Sequence, residues 1–155
     1  MAVEIFLRLD GVIGGSRNYH HSGWADVLGW RWSLDRAATG AQLNDITVTK
    51  PLGIDSPTLM TLLAEGRTVA SAQIDIVPVV GKREAQQKYV TMTFADVLVK
   101  AIRLGGTTED TGSQEEVTLS FGRVKFDYHQ QGTPAADGRA AAIDIYSFEG
   151  TTASA

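Results

Sequence analysis

His20 and His21 stand side by side, with His129 far along the chain. Imidazole nitrogens bind transition metals and move protons near neutral pH. Neighbouring side chains of an extended chain point apart, so the pair makes a poor chelate and reads as part of a solvated loop. Glu109–Asp110 and Glu115–Glu116 pair carboxylates on either side of a Gly/Thr turn. Acid–base catalysis needs one such group buried and its proton affinity driven away from that of its neighbour. In a polar loop both pairs read as solvated charge. Gly14–Gly15–Ser16 is a glycine-rich turn, but no G-x-G-x-x-G, Walker loop or G-x-S-x-G elbow occurs. The chain has no cysteine, which removes disulfides, thiol nucleophiles and thiolate metal sites. The expectation is a protein without a catalytic constellation, a metal or a cofactor.

Arg31 is the polar residue whose position is most informative. In Ala25–Leu34, ADVLGWRWSL, the residues Leu28, Trp30, Trp32 and Leu34 alternate with Val27, Gly29, Arg31 and Ser33. That is the period-two mark of a strand with one buried face. The apolar set is expected to pack into a core, while Gly29, Arg31 and Ser33 meet something more polar. An unpaired arginine does not belong in a core. Its two readings are an ordinary surface arginine beside an acid and an arginine on a sheet face that lines a shared channel. Trp24, Trp30 and Trp32 would suit base stacking, but core packing is the better use of Trp30 and Trp32. The chain carries 14 Lys and Arg against 18 Asp and Glu, a formal net charge of −4, which argues against a general nucleic-acid binder.

These residues must be held by a scaffold that 155 residues can build as one domain without disulfides. Residues 1–148 are expected to form it, with 149–155 as a loose tail. MAVEIFLRLD alternates rather than forming a signal-peptide core, and no apolar run approaches the roughly 18 residues of a membrane helix. A protein made in the cytoplasm without a cleavable signal, and not inserted in a membrane, is expected.

Val3, Ile5, Leu7 and Leu9 mark a first strand, followed by a Gly-rich loop from Asp10 to Gly23. After the tryptophan strand, Asp35–Gln42 reads as a loop and Asn44–Lys50 as a strand with Ile46 and Val48 inward. Ser56–Glu65 is the one convincing helix, with Ser56 as cap, Pro57 in the first turn and Gly66 as a left-handed stop. Ala70 to Ile76 and Val90 to Phe94 alternate as strands, separated by a charged turn at Gly81–Gln87. Val117, Leu119 and Phe121 are odd, whereas Val124, Phe126 and Tyr128 are even, so the phase slips at Gly122, where a bulge keeps both triplets on one core. Gln131–Ala140 reads as a polar loop and Ile143 and Ile145 as a last strand. Seven or more strands with one helix indicate a mainly β, single-domain β-barrel or two-sheet sandwich.

In this order the pieces resemble the haemolysin-coregulated proteins (Hcp), the tube subunits of bacterial type VI secretion systems. The family typically opens MAxDxFxKIxGVxGES and then carries a D-V-L-x-W-x-W strand. Met1–Gly15 is similar to the first and Asp26–Trp32, DVLGWRW, to the second. NDITVTK at Asn44–Lys50, the Asp55–Ser56–Pro57 helix start, and VTLSFGRVKFDYHQ at Val117–Gln130 resemble the succeeding parts. The chain departs from the family at Gly14–Gly15–Ser16, where Gly-Glu-Ser is common, and at Ile143–Phe148, where many members carry G-W-x-x-x-x-N.

The resemblance implies a hexameric ring with a wide channel, and rings stacked into an inner tube that is secreted toward target cells. The implied partners are further copies of the chain, spike and sheath components of the apparatus, and effector proteins carried in the lumen. Gly29, Arg31 and Ser33 are then expected on the lumen wall. The segment containing Asp35, Arg36, Thr39 and Gln42 is expected to meet the adjacent ring. The alternatives are a phage-like tail tube or adaptor protein and a small-ligand-binding β-barrel.

Overall fold

A computed structural model describes residues 2–79, 89–109, 112–131 and 143–152. The expected turn at Gly81–Gln87, Asp110, and all of the Gln131–Ala140 loop beyond Gln131 lie outside them. Eleven strands and, among the described residues, one helix follow in the order β1 (Val3–Leu9), β2 (Ala25–Val27), β3 (Gly29–Arg31), β4 (Leu34–Ala37), β5 (Gly40–Leu43), β6 (Ile46–Pro51), α1 (Ser56–Glu65), β7 (Val69–Pro78), β8 (Val90–Gly106), β9 (Ser113–Ser120), β10 (Arg123–Gln131) and β11 (Ile143–Thr151).

The main sheet is an open path, β2-β1-β7-β8-β9-β6-β3, with β10 and β11 branching from β8. It is mainly β with one helix, as expected, but it does not close as a barrel. Strand β8 is the hinge of the design. Its first half, Val90–Ala95, lies between β7 and β10, and Leu98–Gly106 pairs with β9. Asp96 between them has φ 56°, and Gly122 on the returning chain donates its N–H to Ala95 O at 2.9 Å. A left-handed residue in one strand opposite a glycine in the other bends both at the same level. The phase slip read at Gly122 is this bend: Val117, Leu119, Phe121 and Val124 are buried in one core and Phe126 packs against it, but Tyr128, expected on the same face, is exposed.

The bend yields two sheet regions. One contains β2, β1, β7, the first half of β8, β10 and β11. The other contains β3, β6, β9 and the second half of β8. Ile46, Val48, Ile74, Met92, Phe94, Val117 and Leu119 fill the space between them. Helix α1 adds Leu59 and Leu62 to that core and ends on Gly66, whose φ of 62° and N–H bond to Leu63 O fit a glycine stop. The N-cap is Asp55, not Ser56, and no side chain caps the first turn. Ser56 Oγ instead accepts from Gly53 N–H and donates to Glu115 at 2.9 Å.

Two buried polar nodes fasten the loops. His21, expected in solvent, is buried: its ring stacks on Phe6 at 4.2 Å, and its nitrogens lie 2.8 Å from Asp75 and 3.1 Å from Asn18. This pins the 10–24 loop to β1 and β7. A Cβ at Gly14 would stand 2.4 Å from Trp24 O, so only glycine fits where the loop closes on itself. The second node is Lys50, which is 2% exposed. Its ammonium bonds to Glu115, to Pro51 O at 2.8 Å and to Asp55 at 3.3 Å. Glu115, read as solvated charge, is 1% exposed because Lys50 and Ser56 supply its donors.

Strand β11 extends to Thr151, past the expected start of the tail, and Thr152 Oγ1 donates to Phe121 O at 2.8 Å. Residues 153–155 lie outside the described residues.

Removing Lys50 alone would leave two buried carboxylates without their cation, which costs about 3–5 kcal/mol. Lys50→Ala is therefore expected to lower the urea midpoint sharply, and Lys50→Met with Glu115→Leu to recover much of the loss. A single variant as stable as the wild type would contradict this account of the node.

Candidate functional site: a polar sheet face and a projecting hairpin

The four strands β3, β6, β9 and the second half of β8 alternate with period two, and their register decides what each face carries. Ile46, Val48 and Lys50 on β6 and Glu115, Val117 and Leu119 on β9 point inward. Directly paired residues share a face. Gly29, Thr49, Glu116 and Arg103 therefore form one row across the outer face, and Arg31, Thr47, Thr118 and Ala101 form the next. The face is made of small, hydroxylated and charged side chains. Thr47 and Thr118 hydroxyls lie 3.2 Å apart, and Arg31 donates to Glu116 at 3.0 Å.

Gly29 and Arg31 thus lie opposite the apolar side of their strand, as the alternation indicates. Ser33 lies just beyond β3, where its hydroxyl accepts from Asn44 at 2.8 Å. It shares a shallow depression with Arg31, Trp32, Asp45 and Thr47. Arg31 has the acidic neighbour of the plain surface reading, and its side chain is 68% exposed. At the border of the face Asp45 holds the Lys100 ammonium above its ordinary range, first by a hydrogen bond and then by charge attraction.

The indoles depart from expectation. Trp30 pairs with Val48 and so takes the core side, yet among the described residues β3 has no strand beyond it and Trp30 is 37% exposed. Leu28 and Leu34 are also exposed. Trp32 alone of this set packs on the core, against Phe121, and donates its indole N–H to Asn44 O at 2.8 Å. Alternation assigns a side but not the edge position that leaves that side uncovered.

The expected loop at Asp35–Gln42 is a hairpin. Strands β4 and β5 form a separate two-stranded sheet, with Asp35 opposite Gln42 and Arg36 opposite Ala41. Thr39 lies in the turn between them. Asn44 bonds through its amide to Ser33 and Asp35, and Asn44 N–H bonds to Ser33 O, so the hairpin continues the β3–β6 pair as one arm. All of β4 and β5 is exposed except the partly covered Ala37 and Leu43.

Sequence reasoning singled out Gly29, Arg31 and Ser33 but missed Thr47, Thr49, Glu116, Thr118 and Arg103. Their signal is present in ITVTK and EVTLS, where Thr47, Thr49, Glu116 and Thr118 alternate with inward residues, although Thr47 is itself 8% exposed, paired with Thr118 and Arg31. No group of His, Asp and Glu that would hold a metal occurs among the described residues.

This architecture and strand order have known counterparts. A family model described as "Type VI secretion system effector, Hcp" matches residues 6–128. The chain belongs to the Hcp family. Protein hcp1 of Pseudomonas aeruginosa is 31% identical over 149 residues, covering 89% of this chain and 91% of that protein. The crystal structure of Hcp1 from Salmonella typhimurium superimposes with a TM-score of 0.77 at 25% identity, covering 96% of this chain and 95% of the other. A structure described as a type six secretion system protein has a TM-score of 0.83 at 22% identity, with 97% and 96% covered, and shares the fold. As an Hcp protein the chain is a tube protein of a type VI secretion system, a structural and secreted class. No described helix is long and apolar enough to cross a membrane.

Because the Arg31–Glu116 pair is exposed, it contributes at most about 1 kcal/mol. Arg31→Ala is expected to unfold within that margin of the wild type in urea. A loss above about 2 kcal/mol would mean that Arg31 has a structural role this geometry does not contain.

Proposed function

We propose that this Hcp protein assembles into a closed ring, hexameric as its family resemblance implies, and that its rings stack into the tube the secretion apparatus ejects. The polar face of β3, β6, β9 and the second half of β8 turns to the channel, with Gly29, Arg31 and Ser33 on its wall. The observation that carries this reading is the asymmetry of that sheet. One face is sealed by Ile46, Val48, Val117 and Leu119, and the other carries threonines, Gly29 and the Arg31–Glu116 pair. Such a surface keeps a channel wetted and lets a folded cargo slide without adhering to an apolar wall. In this reading the effectors occupy the lumen, and the spike and sheath meet the ends and outside of the tube.

Hairpin β4–β5 is assigned to the contact between rings. An isolated two-stranded sheet is marginal in water, and this one is separate from the main sheet and largely exposed. A second ring offers it the cover it lacks, with Asp35, Arg36, Thr39 and Gln42 available for polar contacts.

A ligand-binding barrel needs an enclosed, empty interior. Ile74, Met92 and Phe94 fill the interior of this chain, and a cavity of about 490 Å³ over β8, β10 and β11 is an open groove on its surface. A phage-like tail tube has the same physical requirements and is distinguished by its genetic setting.

Light scattering at tens of micromolar should give one discrete mass of six chains, and a stable monomer would overturn the ring. Replacing Asp35–Gln42 by a two-residue turn should leave that mass unchanged and abolish tubes seen by electron microscopy. Loss of the rings themselves would move the hairpin to the lateral interface.

A further inference from the structure

The 10–24 loop closes on its own backbone and packs on the sheet through His21. Gly14 and Ser16 N–H bond to Gly23 O and Trp24 O at 2.7 and 2.8 Å, and Gly23 N–H bonds back to Ser16 O. A loop of this kind keeps its amides from water only while its side chains hold it to the body. The His21 ring, buried and stacked on Phe6 of β1, also meets the Trp24 indole edge-on at 4.7 Å.

Both nitrogens of that ring face an oxygen. Asn18 Oδ1 lies 3.1 Å from Nδ1 and accepts from His20 N–H at 3.0 Å, which fixes it as the carbonyl end of the amide. Asp75 Oδ2 lies 2.8 Å from Nε2, while Asp75 Oδ1 accepts from Gln73 at 2.8 Å. A neutral imidazole carries one N–H and would set a bare lone pair against one of these oxygens. A ring protonated at both nitrogens satisfies both, and the fully buried Asp75 supplies its counter-charge.

We infer that His21 is a proton-operated latch. Doubly protonated, it holds the 10–24 loop on β1 and β7; loss of one proton releases the loop and uncovers Phe6. The inference is independent of the ring reading. Other charged groups surround the latch without replacing it. Glu4 on β1 accepts from Asn18 Nδ2 at 3.3 Å, which turns the Asn18 oxygen toward the ring. Arg8 on β1 lies over Trp24 and is tied to Asp10. On β8 the residue paired with Asp75 is Thr91, and beyond it on β10 stand Asp127, which accepts from Ser147, and His129. His20 and Tyr19 on the loop itself are exposed.

A released loop gives up its imidazole proton near the ordinary value of about 6.5, whereas the pinned loop must keep it. The pinned state then binds one proton more, so its stability is full at pH 6 and falls as the pH rises. One proton changes the opening equilibrium by about tenfold per pH unit.

Hydrogen–deuterium exchange of the intact assembly, read by mass spectrometry from pH 6 to 9 and corrected for intrinsic rates, tests this. Carboxylates, lysines and arginines keep their charges over that range. Protection of the 10–24 segment should fall by up to about tenfold per pH unit, while that of β9 stays constant. His20→Gln should keep the wild-type profile. His21→Gln should lower protection already at pH 6 and remove its pH dependence. Asp75→Asn, whose amide can donate to a neutral ring, should leave the loop pinned with a flat profile, which keeps the test decisive if His21→Gln does not fold. A flat wild-type profile would overturn the latch. So would a wild-type slope in His21→Gln or Asp75→Asn, or loss of the slope in His20→Gln.

Discussion

The role proposed for this chain depends on a sheet whose two faces differ, one packed with apolar side chains and the other polar. Strand geometry sends successive side chains to opposite faces, so a fixed register divides a sequence into two lists. For β6 and β9 the inward list is Ile46, Val48, Lys50, Glu115, Val117 and Leu119, and the outward list is Thr47, Thr49, Glu116 and Thr118. A slip of one residue would put threonines into the core. The Lys50 ammonium guards against that slip, because it must meet Glu115 across the sheet and Asp55 at the start of the helix. A charge held this way adds little net stability over an apolar pair. Its effect is positional: one arrangement satisfies it, and that arrangement also orients the outer face.

The bend at Asp96 and Gly122 supplies the second requirement. It lets one long strand, β8, serve two sheet regions and leaves residues 98–106 with a partner on one side alone. Strand β3, short and terminal, is the other end of the four-stranded region among the described residues. Proteins commonly cover such edges or charge them. Here Leu28, Trp30 and Leu104 remain open beside them. The same economy appears in the arm formed by β3–β6 and β4–β5, whose root is in the main sheet and whose tip touches little of its own chain.

Much of this was legible in the sequence because it rests on local rules. The helix bounds follow from Pro57 and Gly66, the inward Ile46 and Val48 of β6 follow from alternation, and the slip at Gly122 follows from a change of parity. In β7, by contrast, alternation gives Ala72, Ile74 and Ile76, but Ala70 is exposed and Asp75 and Val77 are buried as well. The order of the motifs pointed to the Hcp family, which the relatives bear out. What escaped was non-local. His21 and Glu115 were read as solvated because their partners, Asp75 and Lys50, lie 54 and 65 residues away. Leu28 and Trp30 were read as core because periodicity cannot tell a central strand from an edge. The Asp35–Gln42 segment looked like a loop because its residues are small and polar; its pairing is set by the strands at its root, through Asn44 and Ser33.

The central claim is that the polar face of β3, β6, β9 and β8 lines a channel shared by several copies. An electron cryomicroscopy map of the purified assembly tests it most directly, because it shows side-chain density around a closed ring. The account predicts that Thr47, Thr49, Thr118 and Arg31 face the bore in every subunit. A ring with those residues on its outer circumference, and another face of the chain toward the bore, would contradict it.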